Sequence, residues 1–179
     1  MAEDNPHWRL NVPALSISEF PVDICVLRVR RSDSAVTKAL GKAFALNWPS
    51  APNTMSSDTL RVAWLAPGEW AVFSSAEKIS ERIARACKGR LHHLADVSAG
   101  RRRWRLEGPR CRELIAKGCS LDTDPRVFGA GTCARTLLAH IPILFIPEHG
   151  DQVFDIVADV TLAGHLRSWF ADAASEYHA

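Results

Sequence analysis

The chain has 179 residues, of which 47% are hydrophobic and 23% charged, with a formal net charge of +2. This length fits one domain with its own core, since roughly 70% of the unfolded surface is buried at this size. The small net charge excludes a general polyanion-binding surface, and the composition is that of a soluble globular protein.

Residues 1–21 are rich in proline and aperiodic, and they predict an irregular N-terminal arm preceding a single domain over 22–179. Trp8 within the arm needs a place to bury. The first thirteen residues lack an apolar stretch and carry Glu3, Asp4 and Arg9, which is no signal peptide. No apolar run approaches the ~20 residues that span a bilayer. The longest, 137–147, is broken by His140 and Pro142. A cytoplasmic protein with no membrane partner is expected.

Cys25, Leu27 and Val29 alternate with Val26, Arg28 and Arg30, a strand pattern. Ser32 or Ser34 can cap a helix that presents Val36, Leu40 and Phe44 on one face. The stretch 49–58 predicts a loop. Val62 and Trp64, then Ala66-Pro67-Gly68-Glu69, then Trp70 and Val72 predict a β-hairpin over 61–74. A helix over about 77–88 places Ile79, Ile83, Ala86 and Cys87 together, and Gly89 stops it. The run 94–106 predicts a strand, a turn at Ser98-Ala99-Gly100 and another strand. Trp104 and Leu106 point one way there, and Arg103 and Arg105 the other. Gly108-Pro109 opens a short helix with Cys111, Leu114 and Ile115 inward, ended by Gly118. One or two strands follow over 133–146 and another over 153–160. The last helix, about 162–173, presents Leu162, Leu166, Trp169 and Phe170. Short helices and hairpin-joined strands favour an α+β fold with a mixed or antiparallel sheet. The sequence shows no internal repeat.

Five cysteines (Cys25, Cys87, Cys111, Cys119 and Cys133) are odd in number and contain no C-x-x-C pair. That excludes a disulfide framework and a zinc ribbon, and the thiols read as small buried hydrophobes in a reducing compartment. Gly129-Ala130-Gly131-Thr132-Cys133-Ala134 fits G-x-G-x-x-[GA], but a dinucleotide site needs a preceding strand and a following helix. Here Pro125 precedes and a β-like run follows, so the string reads as a turn entering a strand. Asp122 and Asp124 suit a divalent metal, but they fall just past a helix, where Asp builds turns. His92 and His93 would point to opposite faces of a strand and cannot share a metal.

Arg101, Arg102, Arg103, Arg105, Arg110 and Arg112 fall within twelve residues, opposed only by Glu107. Arg101, Arg103 and Arg105 would line one face of a strand. The row is either a solvated face or a docking patch, because arginine forks match carboxylates and are enriched at interfaces. Nothing else supports nucleic-acid binding. Trp8 and Trp48 flank loops and are candidates to anchor a partner.

Three stretches carry a family resemblance. The first is Trp64-Leu65-Ala66-Pro67-Gly68-Glu69-Trp70. The second is Asp96-Val97-Ser98, Gly100-Arg101 and Arg105-Leu106-x-Gly108-Pro109. The third is Ala116-Lys117-Gly118-Cys119, Leu121-Asp122, Pro125-Arg126-x-Phe128 and Cys133-Ala134 through Thr136-Leu137-Leu138. With Phe154-Asp155-Ile156 and the helix bearing Trp169, they span roughly residues 60–172. In these stretches the chain resembles the gamma subunits of heterotetrameric sarcosine oxidase, departing from them in the added charge of Arg102, Arg103 and Arg105. The resemblance implies a fold like the aminomethyltransferase folate-binding domain and a complex with alpha, beta and delta subunits. It implies oxidative demethylation of sarcosine to glycine by that complex, with hydrogen peroxide formed and the one-carbon unit passed to tetrahydrofolate. It places FAD, FMN, NAD, tetrahydrofolate and zinc in the partner subunits, with no cofactor and no catalytic residue in this chain. The alternative is a stand-alone folate-binding or aminomethyltransferase-like module, for which Asp96 is the candidate pterin carboxylate.

Overall fold

The computed structural model describes residues 6–30, 34–57, 60–74, 76–148 and 152–178, with 76–78 and 178 described by their backbone alone. The chain forms two compact units, one of Met1–Val22 with Ala99–Ala179 and the other of Asp23–Ser98. A single domain over 22–179 was the expectation. The division arises because two consecutive strands, His92–Asp96 and Arg101–Glu107, join different sheets across the turn at Ser98–Gly100.

The inner unit runs through β3 (Cys25–Val29), α1 (Ser34–Phe44), β4 (Met55–Ser56), β5 (Arg61–Ala66), β6 (Glu69–Phe73), α2 (Ala76–Ala86) and β7 (His92–Asp96). Its five strands lie in the order β4-β5-β6-β3-β7. The helix periods predict the buried faces well. Val36, Leu40 and Phe44 of α1 and Ile79 and Ile83 of α2 pack on Leu27, Val62, Trp70 and Val72 of the sheet. Ser34 begins α1, while Ser32 lies outside the described residues. The loop expected over 49–58 holds the short β4, paired to β5. Where the chain enters and leaves this unit, its ends are fastened together. Val97 N–H donates to Ile24 O (3.0 Å) and Ile24 N–H to Ser98 Oγ (3.0 Å).

The outer unit opens with β1 (Trp8–Val12) and β2 (Leu15–Phe20), before the inner unit intervenes. It continues with β8 (Arg101–Glu107), α3 (Cys111–Ala116), β9 (Ala134–Leu138), β10 (Ile141–Pro147), β11 (Val153–Asp159) and α4 (Ala163–Ala173). Its six strands lie in the order β1-β2-β8-β11-β10-β9. Residues 8–20 are therefore a hairpin, not the irregular arm expected. Pro13-Ala14, with Ala14 at φ 64, forms its two-residue turn between the paired Val12 and Leu15. The core gathers Leu15, Ile17, Trp104, Leu106 and Ile156 from the sheet, Leu114 and Ile115 from α3, and Leu166 and Phe170 from α4. Phe128, Phe145 and Phe154 stack in series at centroid separations of 5.3 Å, each contact adding about 1 kcal/mol beyond burial.

Every strand pairing among the described residues is antiparallel, and the longest helices have eleven residues. This is the α+β class expected. The units also repeat one topology that the sequence hides. Each is a strand, a helix, a three-strand meander and a second helix, with matching sheet orders β4-β5-β6-β3 and β9-β10-β11-β8. Beyond β3 lies β7, which follows the second helix; in the outer unit the equivalent place beside β8 is taken by the N-terminal β2.

Candidate functional site

The arginine-rich strand β8 sits in the middle of the six-stranded sheet, between β2 and β11. Arg101, Arg103 and Arg105 share one face, as the period of two predicts. The register sets Asp155 and Asp159 of β11 opposite Arg105 and Arg101. Arg105 grips Asp155 through two bonds, Nε to Oδ1 at 2.9 Å and Nη2 to Oδ2 at 3.0 Å. Arg103 Nη1 stands 3.8 Å from Asp155 Oδ2, with its guanidinium 5.2 Å from the centre of the Phe20 ring. Arg101 Nη1 donates to Asp159 Oδ2 at 2.6 Å.

On the opposite, core-facing side, Glu19 of β2 lies across from Trp104. Arg167 of α4 holds Glu19 bidentately at 2.7 and 2.9 Å, and Arg102 Nε lies 3.8 Å away. Glu19 and Asp155 are fully buried. A buried carboxylate costs several kcal/mol unless it is paired and hydrogen-bonded. Each here is met by two guanidinium groups. The hydrogen bonds to Asp155 and Glu19 raise the pKa of Arg105 and Arg167 above the ordinary guanidinium value. Asp159 titrates below the usual carboxylate range because Thr161 donates to it from its hydroxyl and its backbone N–H, and Arg101 adds to the effect.

The two tryptophans read as partner anchors are taken up by the chain's own packing. Trp48 is 6% exposed, edge-on to Trp70 at 6.0 Å and tilted against Phe44 at 5.8 Å. It closes the helix-covered side of the inner sheet and has no surface to offer. Trp8 is half-buried and stacks on Phe170 of α4 at 6.5 Å. The place to bury that Trp8 needs is an inward position of β1.

Asp96 ends β7 and is exposed. Its carboxylate accepts the Ser98 N–H (2.9 Å) and hydroxyl (2.6 Å), and these bonds lower its pKa. It caps a turn, in surroundings unlike the apolar pocket that a pterin carboxylate requires. Asp122 and Asp124 also build turns, with Asp124 bound to the backbone and guanidinium of Arg126. Among the described residues no group of three or more His, Cys, Asp or Glu side chains is placed to hold a metal. The glycine string is a turn into β9, with Thr132 N–H and hydroxyl both donating to Gly129 O. All five cysteines are buried and none is in a disulfide. Burial pushes the Cys111 thiol up to about 12, so it is no nucleophile near neutral pH. No helix among the described residues is long and apolar enough to cross a membrane.

Glu19 and Asp155, the buried carboxylates of this arrangement, are not among the site residues expected from the sequence. Their signal was a carboxylate set in an apolar strand, Leu15-x-Ile17-x-Glu19 and Phe154-Asp155-Ile156, within reach of surplus arginines.

The model of the sarcosine oxidase gamma subunit family matches residues 28–176. The chain is 31% identical over 147 residues to the sarcosine oxidase subunit gamma of Corynebacterium sp. (strain U-96), covering 79% of this chain and 70% of that protein. The corresponding subunit of Arthrobacter sp. is 31% identical over 117 residues, covering 65% and 57%. Among solved structures, heterotetrameric sarcosine oxidase from Corynebacterium sp. U-96 in complex with pyrrole 2-carboxylate matches with a TM-score of 0.84 and 26% identity, over 95% of this chain and 88% of that one. The glycine cleavage system aminomethyltransferase T from Bartonella henselae shares the fold, with a TM-score of 0.63 at 10% identity over 88% of this chain and 45% of its own. The expected likeness to the aminomethyltransferase fold therefore holds, and the chain belongs to the sarcosine oxidase gamma subunit family.

Proposed function

We infer that this chain is the non-catalytic gamma subunit of a heterotetrameric sarcosine oxidase-type complex, assembling and stabilising its alpha, beta and delta partners. The complex would demethylate sarcosine oxidatively to glycine, form hydrogen peroxide and pass the one-carbon unit to tetrahydrofolate. FAD, FMN, NAD, tetrahydrofolate and zinc would reside in the partner chains. The partners on this reading are proteins, not nucleic acid or membrane.

The observation that carries it is the fold match to heterotetrameric sarcosine oxidase over 95% of the chain at a TM-score of 0.84. The arrangement of chemically capable residues supports the same reading. Asp96, Asp122 and Asp124 cap turns, the thiols are buried, and the β8 arginines neutralise carboxylates within the sheet. The added charge of Arg102, Arg103 and Arg105 thus has a use inside the subunit.

The test is isolation of the tagged chain from its native host. Flavin-containing chains in fixed ratio are the expected companions. A flavin-free monomer at physiological concentration would overturn the proposal.

A further inference from the structure

The two units match beyond their strand order. In each, one strand (β3 or β8) leads through a helix into an antiparallel meander of three strands, and the last of these pairs back to the first strand. A second helix follows. With the residue after it, each second helix buries a row spaced by four: Ile79, Ile83 and Cys87 in the inner unit, Leu166, Phe170 and Ala174 in the outer. The remaining side of the first strand takes one more antiparallel strand, β7 on β3 and β2 on β8. The difference lies in chain order. β7 follows its second helix, whereas β2 precedes the whole inner unit.

The outer unit does not need that order for its contacts. Its N-terminal hairpin lies against its second helix. Arg167 of α4 holds Glu19 of β2 at 2.7 and 2.9 Å, and Trp8, paired to Glu19 from β1, stacks on Phe170 at 6.5 Å. Taken as 99–179 and then 1–22, the outer unit runs strand, helix, meander, helix, strand, as 23–98 does, with β1 as the one addition.

We infer that the two units are versions of one module, and that the outer version is a circular permutation of the inner one, with its closing strand moved to the front. The joint between second helix and closing strand is then the place where the module can be opened. The inner version should tolerate opening at the same joint, residues 87–91, where Leu91 is 82% exposed. The outer version should tolerate being closed there.

Three full-length rearrangements test this, each with a glycine-serine linker from Ala179 to Met1. A linker of about 8 residues reaches roughly 15 Å on average. The first chain runs 99–179, linker, 1–98. It makes both modules continuous and keeps Ser98, whose hydroxyl oxygen accepts the Ile24 N–H at 3.0 Å. The second runs 91–179, linker, 1–90. It exchanges the roles of the units: β7 comes first, the outer module follows whole, and the rest of the inner unit comes last. The third is the control, cut between Pro67 and Gly68 in the turn joining β5 to β6 inside the inner meander. We expect the first two to melt cooperatively within about 5 °C of the wild type, with its near-ultraviolet dichroism, and the third to melt more than about 10 °C lower. Each is also made with a linker of about 16 residues, so that a short tether does not decide the result. If the first or second chain does not fold with either linker, or melts as low as the third, the inference is overturned. A third chain as stable as the other two overturns it as well, because tolerance would then belong to exposed turns in general and not to this joint.

Discussion

Arg105 and Arg167 each close a fork on a carboxylate that has no access to water. Removing one partner of such a pair strands the other, so Arg105→Ala should destabilise the fold by about 3 kcal/mol. Arg105→Lys should recover only part of that, because an ammonium cannot reproduce the two-pronged bond. Urea denaturation of the three proteins measures both. Gly108 has a different constraint. Its φ is 123°, and a Cβ there would come within 2.3 Å of Ala14 O, in the turn between β1 and β2. Gly108→Ala should cost at least about 2 kcal/mol, seen as a lowered midpoint in the same titration. Cys111 sets a pH limit. Its thiol, ordinarily near 9.0, titrates at about 12 when folded. A group with a raised folded pKa contributes stability that is intact below its unfolded value and lost above it. Stability should therefore decline from about pH 9 upward as the unfolded chain ionises, and Cys111→Ser should flatten that slope in melts taken across the range.

At the scale of elements, the N-terminal hairpin is the piece on which the outer sheet depends. β2 supplies Leu15 and Ile17 to the core and the buried Glu19 that pairs with Arg167. Deleting residues 1–21 leaves β8 as an edge strand and opens the core beside Trp104. The expected result is loss of the near-ultraviolet dichroism of the outer unit's tryptophans, with the inner unit's signal retained. That hairpin was also the least legible part of the sequence. Trp8, Leu10 and Val12 do alternate, but Pro13 interrupts the alternation where the chain turns, and the segment reads as aperiodic. The helices were legible because Val36, Leu40 and Phe44, or Leu166 and Phe170, repeat at the helical period and are buried as that period requires. The hairpin of β9 and β10 hides its turn differently. Ala139 and His140 both take positive φ, 50° and 67°, without the glycine or asparagine that normally signals such a turn. Sequence periodicity also assigns Arg101, Arg103 and Arg105 to one face, but it cannot reveal that Asp155, fifty positions away from Arg105, pairs with Arg105 and Arg103, and Asp159 with Arg101.

At the scale of the whole molecule, one domain and two units are hard to distinguish by sequence, because the division follows pairing partners and not composition. Strands β7 and β8 are separated by four residues yet serve different sheets. The inner unit is continuous in the chain, from Asp23 to Ser98, and has its own core of two helices on a sheet. A fragment of residues 23–98 should therefore fold by itself, melting cooperatively with blue-shifted emission from Trp48 and Trp70. Fully quenched, red-shifted emission would show that it depends on the remainder.

The fastening of Ile24 to Val97 and Ser98 has a consequence for how the chain is made. As the polypeptide emerges from the ribosome, β2 must wait for β8, which is synthesised some eighty residues later. Until the inner unit folds, their encounter must close a long, floppy loop, and such non-local pairing slows folding. Once Ile24 and Val97 are joined, the strands on either side are delivered to each other as neighbours. The insertion should thereby turn a distant pairing into a local one, and the expected order of events is the inner unit first, then the β2–β8 seam, then the strands and helix that complete the outer sheet.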